Sequence, residues 1–288
     1  MNEQRIVIWE SVLYNKSSPS RKNSDSDILY SPLDRRDQSV IRNDCKRTRV
    51  RESVLIPGYS KILEAILTYY CNTKNIRYKQ GLNEIFGSLI LLNYKFKNMK
   101  ISKLYDIGEV LIDQYLPNYF YEKDIFSLQS SLSLFVILLK YHEPSVYNRF
   151  DNTETMPQMY ATNSIITLMS GKLKINILYE LWERIILSND PLMIHFILVA
   201  HFITHREMII NCEKLLLASL TTTLSINTIV ELNNILNLAC KLRERTPYSY
   251  RILANKIGFL KKNNKFIKDA YNFYKPQTKP AMPIFPQF

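Results

Sequence analysis

The sequence predicts an all-α protein, an array of many helices without a significant β-sheet. Three observations carry that expectation. Only 6 of the 288 residues are glycine, and long stretches are built from Leu, Ile, Lys and Glu, residues that lose little freedom in a helix. Apolar side chains recur at intervals of three and four, which lines one face of a helix. No run alternates apolar and polar residues for long enough to make a half-buried strand.

Each element follows from its own pattern. Ile6, Trp9 and Leu13 build a first helix over residues 1–14. The polar NKSSPSRKNSDSD that follows predicts a flexible Ser-rich loop over about residues 15–30. A charge-dense stretch then has a weak apolar beat at Leu33, Val40 and Ile41, and Pro57-Gly58 marks a turn. Ser60 is placed to cap a helix carrying Ile62, Ile66, Tyr69 and Tyr70. Leu82, Ile85, Phe86, Leu89 and Leu92 form the stripe of an amphipathic helix, with Gln80-Gly81 at its N-terminal mouth. Periodic segments next cover 102–116, stopped by Pro117, and 127–141, stopped before Pro144. Others cover 161–170, ended by Gly171, and 175–187. Asp190-Pro191 reads as a cap with proline at the first helical position, opening a helix over 192–205. Further helices are expected over 207–219 and, from Ser225, over 225–244, with Pro247 as the stop. These make one continuous domain over 1–255. A C-terminal helix and a Pro-rich extended tail, KPQTKPAMPIFPQF, occupy 256–288.

Composition narrows the function classes. At 46% hydrophobic and 22% charged the chain has the make-up of a globular core. The longest apolar run, 194–203, is broken by His201 and falls short of a membrane span. Glu3, Arg5 and Glu10 interrupt any signal peptide, so a cytoplasmic protein is expected, peripherally associated with endomembranes. Cys45, Cys71, Cys212 and Cys240 are scattered without a CxxC and read as reduced, mostly packing thiols. The net charge of +12 is spread along the chain and accompanies no nucleic-acid motif, so no nucleic-acid partner is expected. SGKLK at Ser170 lacks the upstream glycine of a phosphate loop, and no GxGxxG exists. His195, His201 and His205 sit outside any HExxH and read as structural, so no metal and no cofactor is expected.

Two short polar motifs stand out against this background. In IRNDCKR, Ile41, Asp44 and Arg47 are three apart, so Asp44 can hold Arg47 by a charge-assisted bond on one helix face. In YKQG, Tyr78, Gln80 and Gly81 precede a helix whose second residue is Asn83. Either motif alone is an ordinary surface feature. In this order, IxxDxxR followed by YxQG resembles the TBC domain, the catalytic domain of Rab GTPase-activating proteins. Further blocks resemble that family in sequence: LQSSLSLFVILLKYHEPSV, PQMYATNSIITLM, LYELWERIILSNDPLMIHFILVAHF and RTPYSY. Trp9 resembles the family's early tryptophan, so the likeness spans about residues 1–255. The blocks are closest in style to a branch whose longer members add a rhodanese-like domain, for which this chain is too short.

The resemblance implies a multi-helix TBC array and a Rab-family small GTPase in its GTP form as partner. The GTP and Mg²⁺ would belong to that partner. It implies Arg47 as an arginine finger and Gln80 as a glutamine finger, both acting in trans. Asp44 would hold Arg47, Gly81 would let the loop approach the partner, and Asn83 would bond the loop backbone and hold Gln80. Tyr78 would pack and contact the partner. The chain departs from the family's Trp-Phe pair at Ser164 and Ile165, and from its Asp after the later tryptophan at Glu183. Those departures bear on activity, and the alternative is a TBC scaffold that binds a Rab or a tethering factor at a membrane.

Overall fold

In the computed structural model, which describes residues 2–256 apart from 16, 21, 55, 97–98 and 121–125, every regular element among the described residues is helical. The N-terminal half contains α1 (Asn2–Tyr14), α2 (Asp25–Leu29), α3 (Gln38–Arg47), α4 (Val50–Ser53), α5 (Tyr59–Lys74), α6 (Leu82–Phe96) and α7 (Ile101–Tyr115). The expected stripe of α1 is buried: Trp9 packs 6.2 Å from the Trp182 ring, and Arg5 pairs with both Glu180 and Glu183. These contacts fasten the start of the chain to a helix more than 160 residues on.

The Ser-rich stretch differs from the expected loop, because it contains α2. Ser24 caps that helix: its Oγ accepts the Asp27 N–H at 3.2 Å, and the Asp27 carboxylate accepts the Ser24 N–H at 3.3 Å. The segment is also tied to α7, with Ser20 Oγ donating to Glu109 and Asn23 Nδ2 to Asp106, both at 2.5 Å. Leu33 and Val40 remain exposed, and Ile41 alone of that weak beat enters the core. α5 begins after Gly58 at φ 72°, a left-handed residue that needs no side-chain cap. Ser60 therefore does not cap, and its Oγ lies 3.5 Å from the Cys45 carbonyl.

The second half contains α8 (Phe126–His142), α9 (Pro144–Asn152), α10 (Pro157–Tyr160), α11 (Thr162–Ile166), α12 (Ile175–Ser188), α13 (Met193–Thr204), α14 (Arg206–Asn211), α15 (Leu217–Thr223), α16 (Ile229–Arg245) and α17 (Tyr248–Lys256). α13 is apolar on all sides and is buried between α8, α12 and α16. Pro144, expected only to stop a helix, also starts one, whereas Pro191, expected at a first helical position, lies in a turn before α13. Pro144 and Pro157 each occupy the first turn of a new helix. The single helix expected over 161–170 is instead α11 followed by a turn, because Leu168 and Met169 take left-handed φ of 48° and 62°. The helix expected over 207–219 is broken at extended Cys212. The long helix expected from Ser225 starts later, capped by Thr228.

One hydrophobic core runs from Ile6 to Ala254. The expected C-terminal helix and tail lie outside the described residues, except for Lys256 at the end of α17. Among the described residues no helix is long and apolar enough to cross a membrane.

Candidate functional site

Arg47 is the last residue of α3. Its side chain is 61% exposed, while that of Asp44 one turn back is 4% exposed. Arg47 Nη2 lies 2.6 Å from Asp44 Oδ1. The other carboxylate oxygen, Oδ2, accepts the Tyr78 hydroxyl at 2.7 Å. One buried carboxylate thus serves both sequence motifs. A charge-assisted bond at each oxygen compensates for its desolvation.

The bonds go on to close a ring. The Tyr78 hydroxyl has Asn83 Oδ1 as a second, longer acceptor at 3.1 Å. Asn83 Oδ1 accepts the Gly81 N–H at 2.9 Å, and Asn83 Nδ2 donates to Thr48 Oγ1 at 2.8 Å. Thr48 Oγ1 donates back to the Asp44 carbonyl at 2.6 Å. Asp44, Tyr78, Asn83 and Thr48 therefore lock the end of α3 to the start of α6, with all four side chains buried.

Local backbone chemistry aims the loop. Residues 76–79 carry no helix. Asp37 Oδ2 accepts the Tyr78 N–H at 2.7 Å, and Asp37 Oδ1 accepts Arg35 Nε at 2.9 Å. Arg35 Nη2 donates to the Ile76 carbonyl at 2.6 Å. Gly81 then turns at φ 112°, outside the range a side chain tolerates, and α6 starts at Leu82. Gln80, between anchored Tyr78 and anchored Gly81, is exposed.

Titration behaviour follows the same geometry. Burial, then the bond to Asp44, pushes the Tyr78 phenol far above its usual range, so it stays a donor. Asp37 is held below the usual carboxylate range: burial opposes this, but the Tyr78 N–H and Arg35 outweigh it. Glu84 is shifted up by burial against the pull of Arg49. Burial likewise raises the Cys45 thiol, which leaves it a packing residue rather than a nucleophile. Arg47 and Gln80 share exposure and a common anchor, and neither has a neighbouring nucleophile in this network. Such a pair has charge and hydrogen-bonding groups free to meet a group outside this network.

The family model of the Rab-GTPase-TBC domain matches residues 2–210. The chain belongs to that family. Both motifs of this TBC domain lie inside the matched span. Its curated relatives include the TBC domain-containing protein kinase-like proteins of Gallus gallus, Mus musculus and Homo sapiens, each 23% identical over 132 residues. That match takes in 46% of this chain and 14% of the length of those relatives. Among solved structures, the Ypt/Rab-GAP domain of Gyp1p superposes with a TM-score of 0.61 at 14% identity, covering 84% of this chain and 80% of that one. The Chlamydomonas flagellar RabGAP TBC domain gives 0.66 at 15% identity, covering 83% and 79%. The TBC fold is therefore shared although few residues are.

The departures from the family pattern fall in this TBC domain's interior or at its seams. Ser164 and Ile165 are fully buried in α11, and Glu183 is the α12 partner of Arg5. Three residues of the network were missed from sequence: Arg35, Asp37 and Thr48. Thr48 directly follows the first motif, and that adjacency was its one available signal. Nothing in the sequence links Asp37 to Tyr78, 41 residues away. The histidines do pack inward: His195 and His201 are buried in α13, and His201 meets His205 ring to ring at 4.5 Å.

Proposed function

We propose that this TBC domain accelerates GTP hydrolysis by a Rab-type small GTPase in its GTP form, as part of the regulation of vesicle trafficking. Arg47 enters the partner's site and neutralises charge developing on the γ-phosphate. Its planar, permanently charged fork suits phosphate oxygens. Gln80 orients the attacking water through its carboxamide. The partner brings the GTP and Mg²⁺. Asp44 keeps Arg47 extended, and Tyr78, Asn83 and Thr48 keep the two fingers in register. The observation that carries this reading is the single buried Asp44 carboxylate, which holds exposed Arg47 on one oxygen and the root of the Gln80 loop on the other. Family membership supports the choice of partner.

The test is single-turnover GTP hydrolysis across a panel of Rab proteins, with and without the domain. An arginine finger is worth about 10³- to 10⁵-fold in rate, or about 4–7 kcal/mol of barrier. Arg47→Ala is expected to lose most of the acceleration with the fold intact. Gln80→Ala is expected to slow hydrolysis separately, with little loss of Rab binding. Rates equal to wild type in Arg47→Ala would remove the finger. Rab binding by the wild-type protein with no acceleration of any Rab would leave a docking platform in its place.

A further inference from the structure

We infer that Arg49 is a positioning residue for the finger: it fastens the backbone just beyond Arg47 to the 167–173 turn and so fixes the direction in which Arg47 leaves the protein. This rests on the GTPase-activating reading above and deepens it.

Arg49 has a conformation and an environment that a surface arginine does not. Its backbone is left-handed, at φ 47° and ψ 41°, a region that long side chains rarely occupy. Its side chain is 5% exposed. Nε donates to Ser88 Oγ at 2.9 Å, and Nη1 to Glu52 Oε1 at 3.1 Å. Nη2 donates to the Ser170 carbonyl and, at 3.2 Å, to the Leu173 carbonyl. One guanidinium therefore joins α4, α6 and the turn that follows α11.

That turn is itself held rigidly. Trp182 Nε1 donates to the Leu168 carbonyl at 3.0 Å, and Tyr179 donates to the Ser88 carbonyl at 2.9 Å. The core helix α12 thus supports both structures that Arg49 grips. Arg47 lies between two fixed points, the Asp44 side of α3 and the Arg49 side of the turn. Thr48, bonded to Asn83 at 2.8 Å, pins the residue between them. A lysine at 49 could not reproduce the arrangement, because a point charge lacks the five-donor fork. Arg49 is buried and does not reach the partner, so its effect on the reaction passes through Arg47.

A positioned finger and a mere structural staple differ in kinetics and stability taken together. Displacing a group that acts in the transition state lowers kcat and leaves KM near wild type. Loss of the fold would also lower the apparent kcat, by removing active protein, but it would lower the melting temperature and speed amide exchange throughout the domain. The experiment is hydrolysis by the responsive Rab, measured with wild type, Arg47→Ala and Arg49→Lys, beside amide hydrogen exchange of each protein. Arg49→Lys is expected to lower kcat by about 10- to 100-fold, the scale of an ångström-sized misplacement. KM is expected to stay within a few-fold, with faster exchange confined to residues 47–54 and 167–173. Wild-type kcat in Arg49→Lys beside an inactive Arg47→Ala would overturn this inference and leave the activator reading standing. No acceleration by the wild-type protein would overturn both. If Arg49→Lys does not fold, Ser88→Ala removes the Nε acceptor, together with the Ser88 bond to the Glu84 carbonyl within α6. A smaller kcat loss at constant KM is then expected, and an unchanged kcat would overturn the inference.

Discussion

At the scale of single residues, the Tyr78 hydroxyl decides how the two motifs communicate. The resemblance assigns Tyr78 to packing and partner contact, yet the side chain is buried and its hydroxyl bonds Asp44. Tyr78→Phe removes that donor and leaves Asp44 Oδ2 buried with less compensation. The expected cost is about 1–3 kcal/mol of stability, read from denaturant midpoints, with a lower kcat because Arg47 loses a firm anchor. Unchanged stability would mean that water replaces the phenol. Arg47→Lys is expected to fail almost as fully as Arg47→Ala, since bidentate contact to phosphate is lost. A lysine variant with wild-type single-turnover rates would show that charge alone suffices. The Asp44–Arg47 pair was legible from spacing, because residues three apart on a helix are neighbours. The bond from Tyr78 to Asp44 spans 34 residues and has no signature in the local pattern. Only the family resemblance brought the two motifs together in the sequence reading.

At the scale of elements, helix α6 approaches the site so closely that one position admits no side chain. A Cβ at Gly87 would lie 2.4 Å from the Tyr59 hydroxyl and 2.9 Å from Thr48 Cγ2. Thr48 is part of the ring that locks the fingers, so the clash would reach the site. Gly87→Ala is therefore expected to cost about 1–3 kcal/mol, as overpacking does, and to slow hydrolysis. A melting temperature at or above wild type would show that α6 can shift freely. Helices α5, α6, α7 and α12 were legible because each buries a regular stripe, and α1 and α8 because a few apolar residues recur at intervals of three and four. The errors fell where backbone conformation, not hydrophobicity, sets the boundary. Leu168 and Met169 adopt left-handed φ without a glycine to announce it. Pro144 ends one helix pattern and also opens α9. Such boundaries depend on tertiary contacts, among them the Trp182 bond to the Leu168 carbonyl.

At the scale of the whole molecule, the fold class was legible from composition and period, while the meeting of residues 41–47 with 78–83 was not a property of either. The same integrated core gives the protein a distinctive acid response. His195 and His201 lie in α13, apolar on every side, and burial lowers both imidazoles to about 3. His205 and Lys172 face His201 and lower it further. An unfolded histidine titrates near 6.5. Between those values the unfolded chain binds more protons than the native one, so each imidazole destabilises the fold as pH falls. Each contributes up to about 1.4 kcal/mol per pH unit below 6.5. Two acids oppose this: Asp106 is raised to about 6 by burial, and Glu84 is raised as well. Each of those binds its proton in the native state first and favours it on acidification. The histidine contribution is therefore best read as a difference between two proteins that share both acids. The stability of wild type relative to His201→Phe is expected to fall steadily from pH 6.5 to pH 4.5 in urea unfolding, and to stay level between pH 7 and 8. A difference that holds constant down to pH 4.5 would mean that the native protein protonates His201 without opening its core.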